Sequence, residues 1–204
     1  MRGAAERGLR GRGGTMTAAV DWPASFFAAR RRRPSAEDLR FRRAPSSARA
    51  LVCVLLDCSA SMLAGGRLAL AKGVLAHWVT ELYRQRAEMV VIGFAGRGAF
   101  TLREAGRVGL NERGWLNKVG GGGATPLAAA VRRAARVAKR ARANGRRVEL
   151  RVLTDGRMSA LPERPREVDA CLVVDLEQAA VPLGRARRLA RRWEAGYWRV
   201  EDGA

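Results

Sequence analysis

A continuous apolar run, Leu51 to Leu56, leads directly into the sequence Asp-Cys-Ser-Ala-Ser at positions 57–61. Such a run is typical of a strand that is buried on both faces, as in the centre of a parallel sheet. Open α/β sheets bind their ligands outside the carboxyl ends of the strands. Asp57, Ser59 and Ser61 therefore place a carboxylate and two hydroxyls where a ligand is expected. These hard oxygen donors suit Mg²⁺ or Mn²⁺.

The remainder of the sequence alternates between strand and helix patterns. Apolar residues recur at helical spacing in 67–83 and in a long segment that begins at Pro126, a favoured first-turn residue, and stops at Asn144. A third helix is expected near 183–193. The predicted strands are 51–56, 88–94, a polar edge strand at 99–103, 147–153, 170–175 and a closing strand at 197–200. This alternation predicts an α/β domain with a mostly parallel central sheet and helices on both faces.

Two later loops bring further oxygen donors to the same predicted edge of the sheet. Thr125 stands directly before the long helix, in a loop that contains four consecutive glycines. Asp155, in the sequence Thr-Asp-Gly, follows the strand 147–153. In a doubly wound sheet these loops lie beside the first one, so the three loops are expected to surround a single cation. The candidate metal ligands are Asp57, Ser59, Ser61, Thr125 and Asp155.

These five residues, in this order, resemble the metal-ion-dependent adhesion site of the von Willebrand factor A domain family. The resemblance implies a Rossmann-like domain that binds Mg²⁺ through these side chains and water. It also implies one coordination position left for an acidic residue of a partner. The charges of the ligands are compatible with this open position. Two aspartates roughly neutralise the ion, so the binding of a further carboxylate remains favourable. Two positions depart from the family pattern, since Ala60 stands where glycine is usual and Ala124 is an additional residue before Thr125.

Longer segments of the sequence indicate which group of proteins with this site the chain resembles. Gly-Gly-Gly-Gly-Ala-Thr-Pro-Leu-Ala-Ala at 120–129, Leu-Thr-Asp-Gly-Arg at 153–157, Asp-Trp-Pro-Ala at 21–24 and Glu-Asp-Leu-Arg-Phe-Arg-Arg at 37–43 are similar to the carboxyl-terminal part of magnesium chelatase D subunits. Related segments occur in cobalt chelatase subunits. The resemblance implies a non-catalytic subunit in tetrapyrrole or cobalamin biosynthesis. Its partners would be a separate AAA-type ATPase subunit and a large metal-inserting chelatase subunit.

The sequence gives less support to a catalytic function. The glycine loop lacks the GxxxxGK[ST] pattern of a phosphate-binding loop, so ATP hydrolysis is assigned to a partner. The single histidine, His77, falls within a predicted helix, and no general base accompanies the acids. A phosphatase or phosphotransferase could use Asp57 as a nucleophile. The Ser-x-Ser that follows favours coordination instead, and no catalytic residue is predicted.

The net charge of +20 is the second large signal. Residues 1–50 contain 12 arginines against 4 acidic residues, and 126–147 contain 8 basic residues and no acidic one. Nucleic-acid binding is one interpretation, and a solvated arginine-rich surface is another. Attraction to an acidic partner or a polycarboxylate tetrapyrrole is a third. Aromatic residues are not interleaved among the basic ones as a base-stacking surface requires. Nucleic-acid binding is therefore kept as an alternative, beside an adaptor role with another AAA-type ATPase.

Composition divides the chain into two parts. Residues 1–48 are rich in arginine and glycine and predict a basic, loosely ordered arm, whereas 49–204 are assigned to the von Willebrand factor A domain. The sequence lacks the apolar core of a secretory signal and any window near the ~20 apolar residues of a membrane span. Its three cysteines show no CxxC or Cys/His spacing, which indicates reduced thiols. A cytoplasmic protein without membrane contact is expected.

Overall fold

Strand β1 (Ala50–Asp57), which contains the apolar run, lies in the interior of a six-stranded sheet. The computed structural model describes residues 50–109, 114–117, 119–179 and 181–200. The predicted arm, residues 1–48, lies outside the described residues. The other strands are β2 (Glu88–Ala95), β3 (Gly98–Arg107), β4 (Arg147–Thr154), β5 (Ala170–Asp175) and β6 (Gly196–Arg199).

The order of the strands places β1 between β2 and β4. The full order is β3-β2-β1-β4-β5-β6. Strand β3 is antiparallel to β2, and every other neighbouring pair is parallel. In this register Asp57 is opposite Phe94, and Leu56 is opposite Leu153. The residues that follow β1 and β4 therefore leave the sheet side by side, at its carboxyl edge.

Five α-helices connect the strands in the described parts of the chain. They are α1 (Ala60–Leu63), α2 (Arg67–Arg84), α3 (Gly114–Asn117), α4 (Leu127–Ala143) and α5 (Arg185–Arg192), and a 3₁₀ turn, Ala64–Gly66, joins α1 to α2. The three predicted helices are confirmed, whereas the two four-residue helices were not predicted. Helix α4 begins one residue later than predicted. Pro126 has a ψ of 60°, outside the helical region, so it precedes the helix.

Alternate residues of β1 pack into two separate cores, which explains why its sequence is apolar without interruption. Leu51, Cys53 and Leu55 pack with the buried stripes of α4 and α5 on one face. The intervening residues 52, 54 and 56 pack with α2 on the other face. The predicted α/β fold, a mostly parallel sheet with helices on both faces, is thereby confirmed.

The edge strand β3 differs from its prediction in length. Its ladder with β2 extends over Gly98–Arg107, beyond the expected 99–103, and the register shifts near Val91. The Arg103 guanidinium donates hydrogen bonds to the carbonyls of Gly106 and Arg107, which supports the strand beyond the irregularity. Among the described residues, no helix is both long and apolar enough to cross a membrane.

Candidate metal centre

One donor in the loop after β1 and one donor on β4 orient the carboxylate of Asp57. Asp57 is fully buried. Its Oδ1 accepts a hydrogen bond of 2.9 Å from the backbone N–H of Ser59, and its Oδ2 accepts one of 2.7 Å from the hydroxyl of Thr154 at the end of β4. The hydroxyls of Ser59 and Ser61 lie 3.1 Å apart. The spacing of the motif therefore places one carboxylate and two hydroxyls in a single loop.

The alanine at position 60 fits the backbone of this loop. Ser59 is extended, with φ −67° and ψ 167°, and Ala60 is the first residue of α1. In the described parts of the chain, the non-glycine residues with positive φ are Arg86 and Glu194. Position 60 thus has no need of the conformational freedom of glycine.

The glycine loop is hydrogen-bonded directly to the Asp57 loop. The N–H of Gly122 donates to the carbonyl of Cys58 at 2.8 Å, and the N–H of Ala60 donates to the carbonyl of Gly123 at 2.9 Å. A Cβ at Gly121 would lie 2.7 Å from the Cys58 carbonyl oxygen. Side chains at this position would push the loops apart, so the glycine permits the close approach of the two backbones.

The extra residue Ala124 ties the glycine loop to the end of β2. Its carbonyl accepts a hydrogen bond of 2.9 Å from the N–H of Gly96. Thr125 and Ser61 then line one open cleft of about 410 Å³, together with Arg157 and other residues. The structure therefore brings Thr125 to the same cleft as the second serine of the motif.

Asp155 lies directly after β4 and is only 1% exposed. Its Oδ1 accepts a hydrogen bond from the N–H of Arg157, whereas its buried Oδ2 accepts none. The nearest cations to Oδ2 are the guanidinium groups of Arg67, at 3.8 Å, and Arg157, at 3.7 Å. A buried carboxylate oxygen without a donor is costly. A bound cation would remove this cost, so the donor set fits a metal ion.

Known proteins share sequence similarity with this chain. No protein-family model matches the sequence. Over 165 residues the chain is 33% identical to an uncharacterized protein of Mycobacterium tuberculosis. This alignment covers 74% of this chain and 26% of that protein. Over 125 residues it is 34% identical to the magnesium-chelatase 60 kDa subunit of Cereibacter sphaeroides, covering 61% of this chain and 22% of the subunit. The chain spans about a quarter of the length of these relatives.

Solved structures resemble the fold. The pilus adhesin SpaC from Lactobacillus rhamnosus GG, in its open conformation, matches with a TM-score of 0.58 at 13% identity and covers 80% of this chain and 29% of the adhesin. A von Willebrand factor type A structure from Catenulispora acidiphila matches with a TM-score of 0.48 at 15% identity and covers 76% of this chain and 34% of that one. The chain has a Rossmann-like α/β fold of the von Willebrand factor A (VWA) type and resembles magnesium-chelatase subunits in sequence.

Burial has the largest effect on the pKa of Asp57. It raises the pKa of Asp57 from 3.8 to about 6. Hydrogen bonds from Ser59 and Thr154 lower the pKa of Asp57, and the nearby charge of Asp155 raises it. Without a counter-ion the charged form of Asp57 is therefore disfavoured. A cation beside both carboxylates would reverse this balance.

The composition of the site determines which ion it suits. In the described ranges, no group of three His, Cys, Asp or Glu side chains is placed to hold a metal. The set that the fold brings together consists instead of two carboxylates with serine and threonine hydroxyls. Such an all-oxygen set, with few charged ligands, suits Mg²⁺, which retains several of its waters in proteins. The ligation of Mg²⁺ by Asp57, Ser59, Ser61, Thr125 and Asp155 stays a prediction.

The sequence interpretation missed two residues that belong to this site. The hydroxyl of Thr154 bridges the Asp57 carboxylate and the N–H of Gly156. Arg67 donates a hydrogen bond of 2.9 Å to the carbonyl of Ser61 and lies beside Asp155. The sequence does contain a hint of the role of Arg67. A basic residue at the first position of a helix is unfavourable, because the amino end of the helix dipole is positive. His77, in contrast, is exposed on α2.

Proposed function

We propose that this VWA domain is a non-catalytic docking module of a magnesium- or cobalt-chelatase-type complex. It binds an AAA-type ATPase subunit through a Mg²⁺-dependent adhesion site, and a large chelatase subunit is its second partner. The ligands are Asp57, Ser59, Ser61, Thr125 and Asp155, and Mn²⁺ is the alternative ion. We place this function in the cytoplasm, in keeping with three cysteines that are all free thiols. The similarity to magnesium-chelatase subunits supports the type of complex.

One observation carries the adhesion-site proposal, namely the Oδ2 atom of Asp155. This atom is buried and has no hydrogen-bond donor, although two guanidinium groups lie just under 4 Å away. Asp57 differs, because protein donors occupy both of its oxygens. Asp155 therefore has coordination capacity that the protein leaves unused, next to a cleft that a partner can enter.

The residues of the site divide into two roles in this proposal. Asp57 and Asp155 lie below the surface and balance the charge of the ion. Ser61 and Thr125 line the open cleft, where a partner would approach. When bound, Mg²⁺ supplies a positive centre that a carboxylate of the partner can bind. The glycine loop keeps its backbone close to the Asp57 loop and so fixes the position of Thr125.

The proposal is tested by affinity capture with the tagged chain in the presence of ATP. With Mg²⁺ we expect the wild type to retain an AAA-type ATPase subunit, and both EDTA and Asp57→Ala to abolish its retention. The control is Glu163→Ala, which removes a carboxylate that is 78% exposed and lines neither the cleft beside Ser61 nor the one beside α4, and it should leave retention unchanged. Retention that is insensitive to EDTA and to Asp57→Ala would contradict metal-dependent docking.

The captured proteins also separate the alternatives. A large chelatase subunit among them supports the chelatase complex, whereas an AAA-type ATPase without such a subunit supports an adaptor role. Nucleic acid that is released by salt and indifferent to Mg²⁺ supports the third interpretation, because phosphate contacts depend strongly on salt concentration.

A further inference from the structure

A second cleft, of about 450 Å³, lies between helix α4 and the neighbouring strands. Its lining combines basic and aliphatic side chains. The basic residues are Arg133, Arg136, Arg140 and Arg146, and the aliphatic ones include Leu51, Val90 and Val137. We call this feature the arginine cleft. Its volume is in the range of known ligand pockets.

The arginine cleft is separate from the candidate metal centre. Leu51, which lines it, is near the amino end of β1, and Asp57 is the last residue of the same strand. Six steps along a strand correspond to about 20 Å. The cleft therefore opens at the amino edge of the sheet, opposite to the carboxyl edge that carries the carboxylates.

Basic residues outnumber acidic ones in the lining of the arginine cleft. Helix α4 contains six basic residues and no acidic one. Arg146 pairs with Glu88, and Arg133 donates a hydrogen bond of 2.7 Å to the hydroxyl of Thr101. Arg136 and Arg140 are exposed and form no ion pair with a residue of the described ranges. Two arginines one helical turn apart are therefore available to a ligand, against one lining carboxylate, Glu104.

We propose that the arginine cleft binds an acidic peptide segment of a partner protein. Carboxylates of the segment pair with Arg136 and Arg140, which are one helical turn apart and so match acidic residues spaced at about 6 Å. Aliphatic side chains of the segment cover Leu51, Val90 and Val137. Arginine suits this role because its planar guanidinium group binds carboxylates with two parallel hydrogen bonds.

The lining favours a peptide over other anionic ligands. The side chains that line the cleft include no aromatic ring on which a base could stack, and its floor is aliphatic. Residues 1–50 of the same chain are a poor charge match, because they contain 12 arginines against 4 acidic residues. Charge complementarity thus points to an acidic segment from another protein.

The experiment measures fluorescence anisotropy of a labelled synthetic peptide with repeats of Glu-Leu-Ala-Ala, in EDTA so that the metal centre plays no part. The test variant is Arg136→Glu with Arg140→Glu. The control is Arg132→Glu with Lys139→Glu, which makes the same charge change at exposed positions of α4 that do not line the cleft. We expect the test variant to weaken binding at least ~10-fold, and the control less than ~3-fold, because exposed charges outside the contact contribute little.

Three results would overturn the proposal. The first is equal weakening by both double variants, which would indicate general attraction to a basic surface. The second is absence of peptide binding by the wild type. The third is binding of oligothymidylate that is as tight as that of the peptide and equally sensitive to the test variant, which would assign the cleft to nucleic acid. Circular dichroism verifies that each variant is folded, and the absence of metal keeps the result independent of the adhesion-site proposal.

Discussion

The carboxyl edge of the sheet carries buried carboxylates, whereas the amino edge carries exposed arginines. Asp57 and Asp155 are at most 1% exposed, and donors from β4 and the motif loop orient Asp57. Arg136 and Arg140 extend from α4 into an open cleft. Fixed, buried oxygens suit one small ion with strict geometry, whereas long side chains on a surface suit an extended ligand.

This difference predicts that the two edges respond to different conditions. Binding at the carboxyl edge should depend on a chelator and on pH, because a metal ion and a raised pKa are involved. Binding at the arginine cleft should depend on ionic strength, because exposed charges are screened by salt. If a single binding activity responded to chelator, to pH and to ionic strength alike, the two edges could not be separate binding sites of different kinds.

The largest expected effect on stability comes from Asp57 in the absence of metal. Its folded pKa, about 6, lies above its ordinary value of 3.8. Its contribution to stability is therefore fully present below about pH 4 and is lost as the pH rises through about 6. At about pH 8 in EDTA, Asp57→Asn should be more stable than the wild type by up to about 3 kcal/mol, and the difference should vanish near pH 4.

Urea unfolding at several pH values checks this prediction. Glu104→Gln removes an exposed carboxylate at the amino edge and should change the free energy of unfolding by less than ~0.5 kcal/mol at each pH. A stability difference for Asp57→Asn that is the same at all pH values would show that burial of the charge is not its cause.

The next largest effect on stability is expected at the glycine loop of the carboxyl edge. Gly121→Ala places a Cβ 2.7 Å from the Cys58 carbonyl oxygen. The two loops must separate, so we expect a loss of roughly 1–3 kcal/mol in the free energy of unfolding. Gly120→Ala is the matched control, since nothing lies within 4 Å of its Cβ position. Equal stability of the two variants would show that contact between the loops is unimportant.

A smaller effect is expected from Arg67, whose partly buried side chain lies near Asp155 at the carboxyl edge. Its guanidinium, 3.8 Å from Oδ2, opposes the binding of a second cation. Arg67→Met should tighten Mg²⁺ binding roughly threefold, because removal of a nearby like charge favours the ion. Arg157→Met, at a residue whose side chain is 48% exposed, should have less effect because solvent screens it. Weaker Mg²⁺ binding by Arg67→Met would assign Arg67 to support of the Ser61 loop instead.

Sequence patterns predicted the carboxyl edge better than the amino edge. Asp57 and Asp155 directly follow apolar strands, so strand prediction was enough to place them together. The approach of Arg67 to Asp155 depends on two short turns, α1 and the following Ala64–Gly66, which are too brief to show a periodic pattern. Basic residues of α4 resembled a solvated face, since periodicity separates buried from unburied positions but does not show that β3 lies beside them.

Calorimetric titration of the full chain with Mg²⁺ at neutral pH tests the central claim most directly. The wild type should bind one ion. Asp57→Asn and Asp155→Asn should each lose this binding, because each removes one of the two charged ligands in the proposed set. Arg136→Glu with Arg140→Glu, at the opposite edge, should bind Mg²⁺ as the wild type does. Absence of Mg²⁺ binding by the wild type, or unchanged binding by both aspartate variants, would contradict the assignment of this edge as a metal-dependent adhesion site.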